Sequence, residues 1–504
     1  MNAFEEKNAG IRHGGALLAV RKKVNRQTRA IPRMTAARLA QRRQALARGA
    51  KRHHIHSAPM GANQTKGAEL AEGADLPKGA RGAEMVAMMA SLLALNALAI
   101  DIMLPAMGRI ASDLGASGND QQLIIVAYVL GFGAPQMVFG PVSDWSGRRR
   151  VIFVSLVGYV IAGGLCALAG SLAMLLAMRF TQGVFAAGCR VVAIAIVRDR
   201  FEGRAMARTM SLIMTVFMVV PIVAPAIGQG IIALTHWRAC FFFLSFAAGL
   251  VLLWTYFRLG ESLPVERRRP LSIVGALRAY KQVFETRITR GYMIASGLIF
   301  GALFAFLSAA EQIFREVFHR GDSFAAWFAL VALTLSGANF LNARLVERFG
   351  MRRMSHAAML GFTFFSGVLF ALMNWIPTFA VFIPLFALCF AFFGLIGANF
   401  NAMAMAPLGR IAGTASAAYG FATTTVSGVI GGLIARQYDG TVLPLVGGYF
   451  VLGLVATFAV LVTERFRLFG DGAAGDGAPS GASAGDGSSV GPTPAVTETN
   501  SASV

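Results

Sequence analysis

Twelve apolar stretches, each close to the roughly 20 residues that a bilayer's hydrocarbon core demands, dictate what this chain can become. They run at about 85–107, 122–143, 150–170, 172–196, 209–232, 237–257, 291–312, 324–344, 355–375, 378–400, 413–434 and 445–463. Spans 3 and 4 are separated only at Gly170–Ser171, and spans 9 and 10 only at Trp375–Pro377. A length of 504 residues would suit several soluble domains, but 56 % of the residues are hydrophobic and 14 % charged. An ordinary soluble domain carries roughly 25 % charge. The chain therefore reads as a polytopic membrane protein, and an even number of spans puts both termini on one side.

The loop between spans 2 and 3 gives sidedness. It reads G-P-V-S-D-W-S-G-R-R-R from Gly140 to Arg150, with Asp144, Gly147 and the arginines Arg148 and Arg149 inside a few residues. Lys and Arg are held back from translocation, so such a loop marks the inner side. Between spans 8 and 9 the pattern returns as Glu347-Arg-Phe-Gly350-Met-Arg352-Arg353. An acid, a glycine three residues on and an arginine pair recur, which indicates an internal duplication. A long loop at 258–290 divides the spans six and six, as expected of parallel halves related by an axis along the membrane normal. With the amino terminus inside, the inner loops hold about 20 Lys/Arg and the outer ends five (Arg109, Arg238, Arg315, Arg320, Arg436). The expectation is thus an all-α membrane protein, with an amino-terminal six-helix bundle over 84–257 and a carboxy-terminal one over 291–467. The central loop and both termini face the cytoplasm.

The net charge of +21 does not indicate nucleic-acid binding, because it lies in the inner loops and in residues 1–83, which hold 17 Lys/Arg against five acids. That first segment has no apolar core of a signal peptide. Its stretch from Arg12 to Arg52 suits a basic helix on an anionic membrane surface, and His53, His54 and His56 read as solvated. Met34 or Met60 is an alternative start. Residues 468–504 are rich in Gly, Ala, Ser, Asp and Pro and read as a disordered tail. Cys166, Cys189, Cys240 and Cys389 are isolated inside apolar stretches, with no metal spacing.

Few polar groups within the spans could carry chemistry. Asp101, in L-N-A-L-A-I-D-I-M-L-P-A-M, costs about 2.5–3.5 kcal/mol or more in a membrane interior, so it is rare without a task. It suits a group that takes and releases protons. Arg179, in R-F-T-Q-G-V-F-A-A-G, falls at a similar depth in span 4 and needs a partner; the two are expected to influence each other's charge state. Arg190, three turns deeper, reads as snorkelling to the inner interface. Span 5 carries Pro221, Pro225 and Gly228, the elements of a kink packed closely on another helix. Glu311 reads as interfacial. Tyr128, Gln136, Gln182, Asn339 and Asn399 are polar positions that line a cavity or join helices, and the many Phe and Met residues suit an adaptable apolar pocket or a lipid-facing surface. No Gly-rich nucleotide loop, nucleophile–base set or metal site is visible. A cofactor is not expected, and a proton gradient is the expected energy source.

These residues resemble the major facilitator superfamily. Gly140–Arg150 looks like its signature between helices 2 and 3, and R-F-T-Q-G-V-F-A-A-G like its helix 4 motif. Span 5 matches the antiporter motif at Pro225 and Gly228, with Ala224 and Gln229 where glycines are usual. A-I-D-I-M-L-P-A-M, A-I-V-R-D-R-F-E-G-R-A-M-A-R and N-A-M-A-M-A-P-L-G-R-I-A-G-T-A-S-A resemble the bicyclomycin-resistance (Bcr/CflA) type of drug:proton antiporter. The likeness covers residues 84–467. It implies two bundles rocking about a central cavity, with Asp101 and Arg179 in the proton-coupling positions. Asp144, Arg148 and Arg149, with Gly140 and Gly147, would take the loop positions that latch the bundles in the outward-facing state, echoed by Glu347, Gly350 and Arg352. The expected function is export of small amphipathic organic compounds in exchange for protons from a bacterial inner membrane, for which a monomer suffices. A dedicated metabolite exporter and a non-transporting sensor or scaffold stay open as alternatives.

Overall fold

The computed structural model describes residues 80–469, apart from Ser117 and Arg269. The basic extension through residue 79, its His cluster and the tail from residue 470 lie outside the described residues. Among the described residues every regular element is a helix, the form in which an apolar segment satisfies its own backbone inside a bilayer. Eleven helices are long and apolar enough to cross a membrane, and a bent pair makes the twelfth.

The first six spans are Ala80–Asp101, the pair Leu123–Gly133 and Gln136–Ser146, Arg148–Ala167, Leu172–Arg200, Gly203–Leu234 and Arg238–Arg258. The second six are Arg287–Gln312, Phe324–Phe349, Met351–Trp375, Phe379–Met405, Ala412–Ala435 and Leu443–Thr463. Three features differ from the sequence expectation. Span 1 stops as an α-helix at Asp101 and resumes, after a 3-10 turn at Leu104–Ala106, as Met107–Asp113. Pro105 lacks the N–H that would bond the carbonyl of Asp101, so the ladder fails there. Span 2 bends by 41° between Gly133 and Gln136, where Pro135 interrupts the helix for the same reason. The central loop contains a helix of its own, α1 (Ile273–Glu285), whose Tyr280 Oη donates to the carbonyl of Met137 at 2.6 Å.

Spans 1–6 pack on one another and so do spans 7–12; the halves meet where span 2 lies on span 11, span 5 on span 8, and the broken end of span 1 on span 7. The reversal between spans 2 and 3 turns on Gly147, at φ +96° and ψ 150°, and the echoed reversal between spans 8 and 9 turns on Gly350, at φ +81° and ψ 150°. Only glycine takes that backbone without strain. The two halves thus use the same turn at the same place. All four cysteines are buried and unpaired.

The structure has a basic end, carrying the arginine-rich loops, and a far end. Hydrogen bonds between the two bundles gather at the far end. Gln122 donates to Gln312 at 3.2 Å, and Asn119 donates to the carbonyls of Arg436 and Tyr438 at 2.9 and 2.7 Å. Arg436 pairs with Asp120 at 3.2 Å. The Gln229 amide donates to the carbonyl of Asp322 and accepts from the N–H of Ala325 at 3.2 Å. The protein is closed at the far end.

Candidate proton and substrate site

Asp101 sits where span 1 breaks, with its side chain buried at 4 % exposure. Among the described residues none donates a hydrogen bond or forms an ion pair with its carboxylate. Span 5 closes over this point. A side-chain carbon at Gly228 would collide with the carbonyl of Ile102, so only glycine permits the approach. Span 5 itself remains one helix through Pro221 and Pro225. A carboxylate without a partner, next to a helix break and under a tight crossing, is where a change in charge acts on two helices at once.

Arg179 is fully buried. Its guanidinium donates from Nη1 to Gln182 Oε1 at 2.8 Å, from Nη2 to the carbonyl of Ala99 at 3.1 Å, and from Nε to the carbonyl of Ile124 at 3.4 Å. The ring of Tyr128 lies 4.4 Å from the guanidinium carbon, a cation–π contact strengthened by desolvation. Arg179 therefore ties span 4 to spans 1 and 2 and reaches the backbone two residues before Asp101, but the two form no ion pair. Its fork is filled by carbonyls and an amide, which leaves the carboxylate free. Tyr128 completes this cluster by donating to Asn96 Oδ1 at 2.9 Å, and Tyr159 donates to the carbonyl of Leu95 at 3.1 Å. Asn96 and Tyr159 were missed from the sequence. Asn96 was visible as the one polar residue besides Asp101 in L-N-A-L-A-I-D, whereas nothing local marks Tyr159.

The polar positions read as cavity residues divide. Tyr128 and Gln182 are fully buried and serve Arg179. Gln136 faces the other bundle, 3.5 Å from Thr424 Oγ1 on span 11. Asn399 is buried and donates to Asn342 at 2.8 Å, joining spans 10 and 8. Asn339 is half-buried and donates to its own helix at Leu335. Arg190 lies over the ring of Phe132 at 5.5 Å. Glu311 is buried rather than interfacial: Arg315 Nε donates to one oxygen at 2.8 Å and the other has no partner.

At the basic end Arg148 is the hub. Nη1 pairs with Asp144 at 2.6 Å and donates to Ser143 at 2.6 Å, while Nε pairs with Asp199, at the end of span 4, at 3.0 Å. Arg149 donates to the carbonyl of Tyr256 at 3.0 Å. Glu261 accepts from the backbone N–H of Arg148 at 2.9 Å, an acid at a helix start. This network lies within the first half. A side chain at Gly140 would meet open space. In the second half Arg352 pairs with Glu464, just past span 12, at 3.1 Å, and Glu347 is exposed. The echo therefore holds in backbone and arginine but takes its acid from a different helix. Tyr292 donates to the same Glu464 at 2.6 Å.

Residues 89–432 match the sequence profile of the Major Facilitator Superfamily. The chain belongs to that superfamily. Within it, the chain is 31% identical over 374 residues to a bicyclomycin resistance protein homolog of Haemophilus influenzae, covering 72% of this chain and 90% of that protein. It is 28% identical over 396 residues to an uncharacterized MFS-type transporter of Bacillus subtilis, covering 78% and 98%. Multidrug resistance protein MdtL of Salmonella typhimurium is 29% identical over 244 residues, 48% of this chain and 61% of that one. Among solved superfamily structures, a D-xylose–proton symporter superposes with a TM-score of 0.62 at 15% identity, over 76% of this chain and 97% of that one. These likenesses agree with the twelve spans and the two bundles described above.

Proposed function

We propose that this superfamily member exports small amphipathic organic compounds across a bacterial inner membrane in exchange for protons. With both termini in the cytoplasm, the basic end is the inner one, and the far end, where the two bundles are joined, is the outer one. The observation that carries the reading is Asp101, a buried carboxylate without a partner, set at the break in span 1 where Gly228 of span 5 crosses it. The likeness to a bicyclomycin resistance protein homolog supports the export direction.

In the inward-facing state substrate enters from the cytoplasmic side, and a proton leaves Asp101. A bare carboxylate at this depth is costly, and the bundles rock to the outward-facing state, where a proton from outside displaces the substrate. Arg179 positions the carboxylate through the Ala99 carbonyl and keeps spans 1, 2 and 4 together while spans 1 and 5 shift. Asp144, Arg148 and Arg149 serve the inner latch. A ligand shifts such an equilibrium only by its differential affinity for the two states; competition of substrate and proton for the Asp101 region makes their movements exclusive and so couples them. No resident cofactor is required, and the monomer is the working unit.

The test is proton release from acid-loaded inverted vesicles on addition of candidate compounds, with wild type and Asp101→Asn. A compound that dissipates the gradient with the wild type and not with the variant supports the proposal. Equal responses from an active wild type and the variant would remove Asp101 from the coupling step, and silence from both would remove proton-coupled export.

A further inference from the structure

We infer that the basic end of spans 3 and 6 holds a built site for the phosphate headgroup of an anionic phospholipid, separate from the transport pathway. A pocket of about 480 Å³ opens there, lined by Ser146, Arg149, Arg150, Phe153, Tyr256, Glu261 and Arg268. Three guanidinium groups face one carboxylate. That carboxylate is already committed: Glu261 accepts from the backbone N–H groups of Arg148, Ser262 and Leu263 at 2.9, 3.1 and 3.1 Å, and from Arg149 at 3.4 Å. Its contact with Arg268 is a loose 3.7 Å. The pocket therefore keeps a surplus of positive charge.

Two of the guanidinium groups that line it have an unmet donor: Nε of Arg149 and Nε of Arg268 are buried and have no hydrogen-bond partner among the described residues. A buried polar group without a partner is costly, and a charged one more so; phosphate oxygens are the acceptors that a guanidinium fork fits. Arg150 lines the same pocket, is exposed and forms no ion pair among the described residues.

The surroundings favour a lipid over a soluble anion. Phe153 and Tyr256 meet edge to face at 5.5 Å, and Tyr256 is 55 % exposed. One turn further into the membrane, Val154 beyond Arg150 and Leu253 beyond Tyr256 are more than half exposed. Phosphate in the pocket would thus continue into acyl chains lying on bare apolar helix faces, with aromatic rings at headgroup level as membrane interfaces favour. Basic pockets between helices on the cytoplasmic side take anionic headgroups by this chemistry. Arg149 also belongs to the latch loop, so an occupied pocket would hold that loop against span 6.

The experiment is native mass spectrometry of the full chain in detergent with dioleoyl phosphatidylglycerol, dioleoyl phosphatidylcholine or inorganic phosphate. The wild type should retain phosphatidylglycerol over phosphatidylcholine. Each arginine near an anionic headgroup is worth about fivefold in binding, so Arg150→Gln should weaken phosphatidylglycerol retention about fivefold and Arg150→Gln/Arg268→Gln by roughly 25-fold. Phosphatidylcholine binding should not change, and millimolar phosphate should leave the lipid in place. Arg150 is exposed and unpaired, so the single variant stays folded, which its thermal-unfolding midpoint checks. Equal retention by wild type and Arg150→Gln, or no preference between the two lipids, would overturn the site. Displacement by millimolar phosphate would overturn its assignment to a lipid.

Discussion

At the scale of single residues, two charges buried in the first bundle have different tasks. Arg179 is saturated by Ala99, Ile124 and Gln182 and stacked on Tyr128, so its loss is felt through geometry. Arg179→Lys retains the charge but cannot fork across three acceptors; transport should fall at least tenfold, with little recovery relative to Arg179→Gln. Recovery by lysine to near wild-type rates would show that charge alone matters. Both residues were legible in the sequence, because an ionisable group inside an apolar run is conspicuous. Their relation was not. A depth count puts them level, but it cannot show that helix carbonyls satisfy the arginine before the carboxylate reaches it. Nor could the sequence assign Glu464 as the partner of Arg352, since that acid lies beyond span 12, far along the chain from the loop it holds.

At the scale of elements, the spans were legible from apolar length, and the reversals from Gly147 and Gly350. The breaks were less so: Pro105 and Pro135 interrupt spans 1 and 2, while Pro221 and Pro225 lie within a continuous helix. A proline's missing N–H therefore does not by itself end a helix. Gly228 and Gly230 look alike in sequence, but only Gly228 lies against another helix, at Ile102; Gly230 faces open space. Gly228→Val should therefore lower the thermal-unfolding midpoint, with overpacking costing about 1–3 kcal/mol, and should reduce transport. Gly230→Ala should do neither. Gly147→Ala, at φ +96° beside Glu261 and Arg268, should cost more than about 1 kcal/mol in the same assay. Helix α1 acts as a strut through Tyr280. Burial and the nearby Asp144 carboxylate push its phenol up to about 12. It keeps its proton below that pH, so the bond to Met137 is present across the physiological range and lost only as the pH rises through about 12. Tyr280→Phe should alter transport equally at pH 6 and pH 8; a pH-dependent difference would contradict this.

At the scale of the whole molecule, the bundles are joined at the far end by Gln122–Gln312, Asn119 with Arg436 and Tyr438, and Gln229 with the start of span 8. Alternating access requires these contacts to break. A side-chain carbon at Gly432 of span 11 would lie 3.5 Å from Cβ of Val126 of span 2, within the range a disulfide needs. Val126→Cys/Gly432→Cys should oxidise readily, stop transport and regain it on reduction. Unimpaired transport by the oxidised pair would show that the far end need not open. In the proposed mechanism Asp101 is where proton and substrate movements are coupled. The most direct test is in proteoliposomes containing wild type or Asp101→Asn. Net substrate movement driven by a pH gradient is compared with exchange of labelled for unlabelled substrate at equal pH. Asp101→Asn should retain exchange and lose the response to the gradient. Gradient-driven accumulation by Asp101→Asn at the wild-type rate would contradict it.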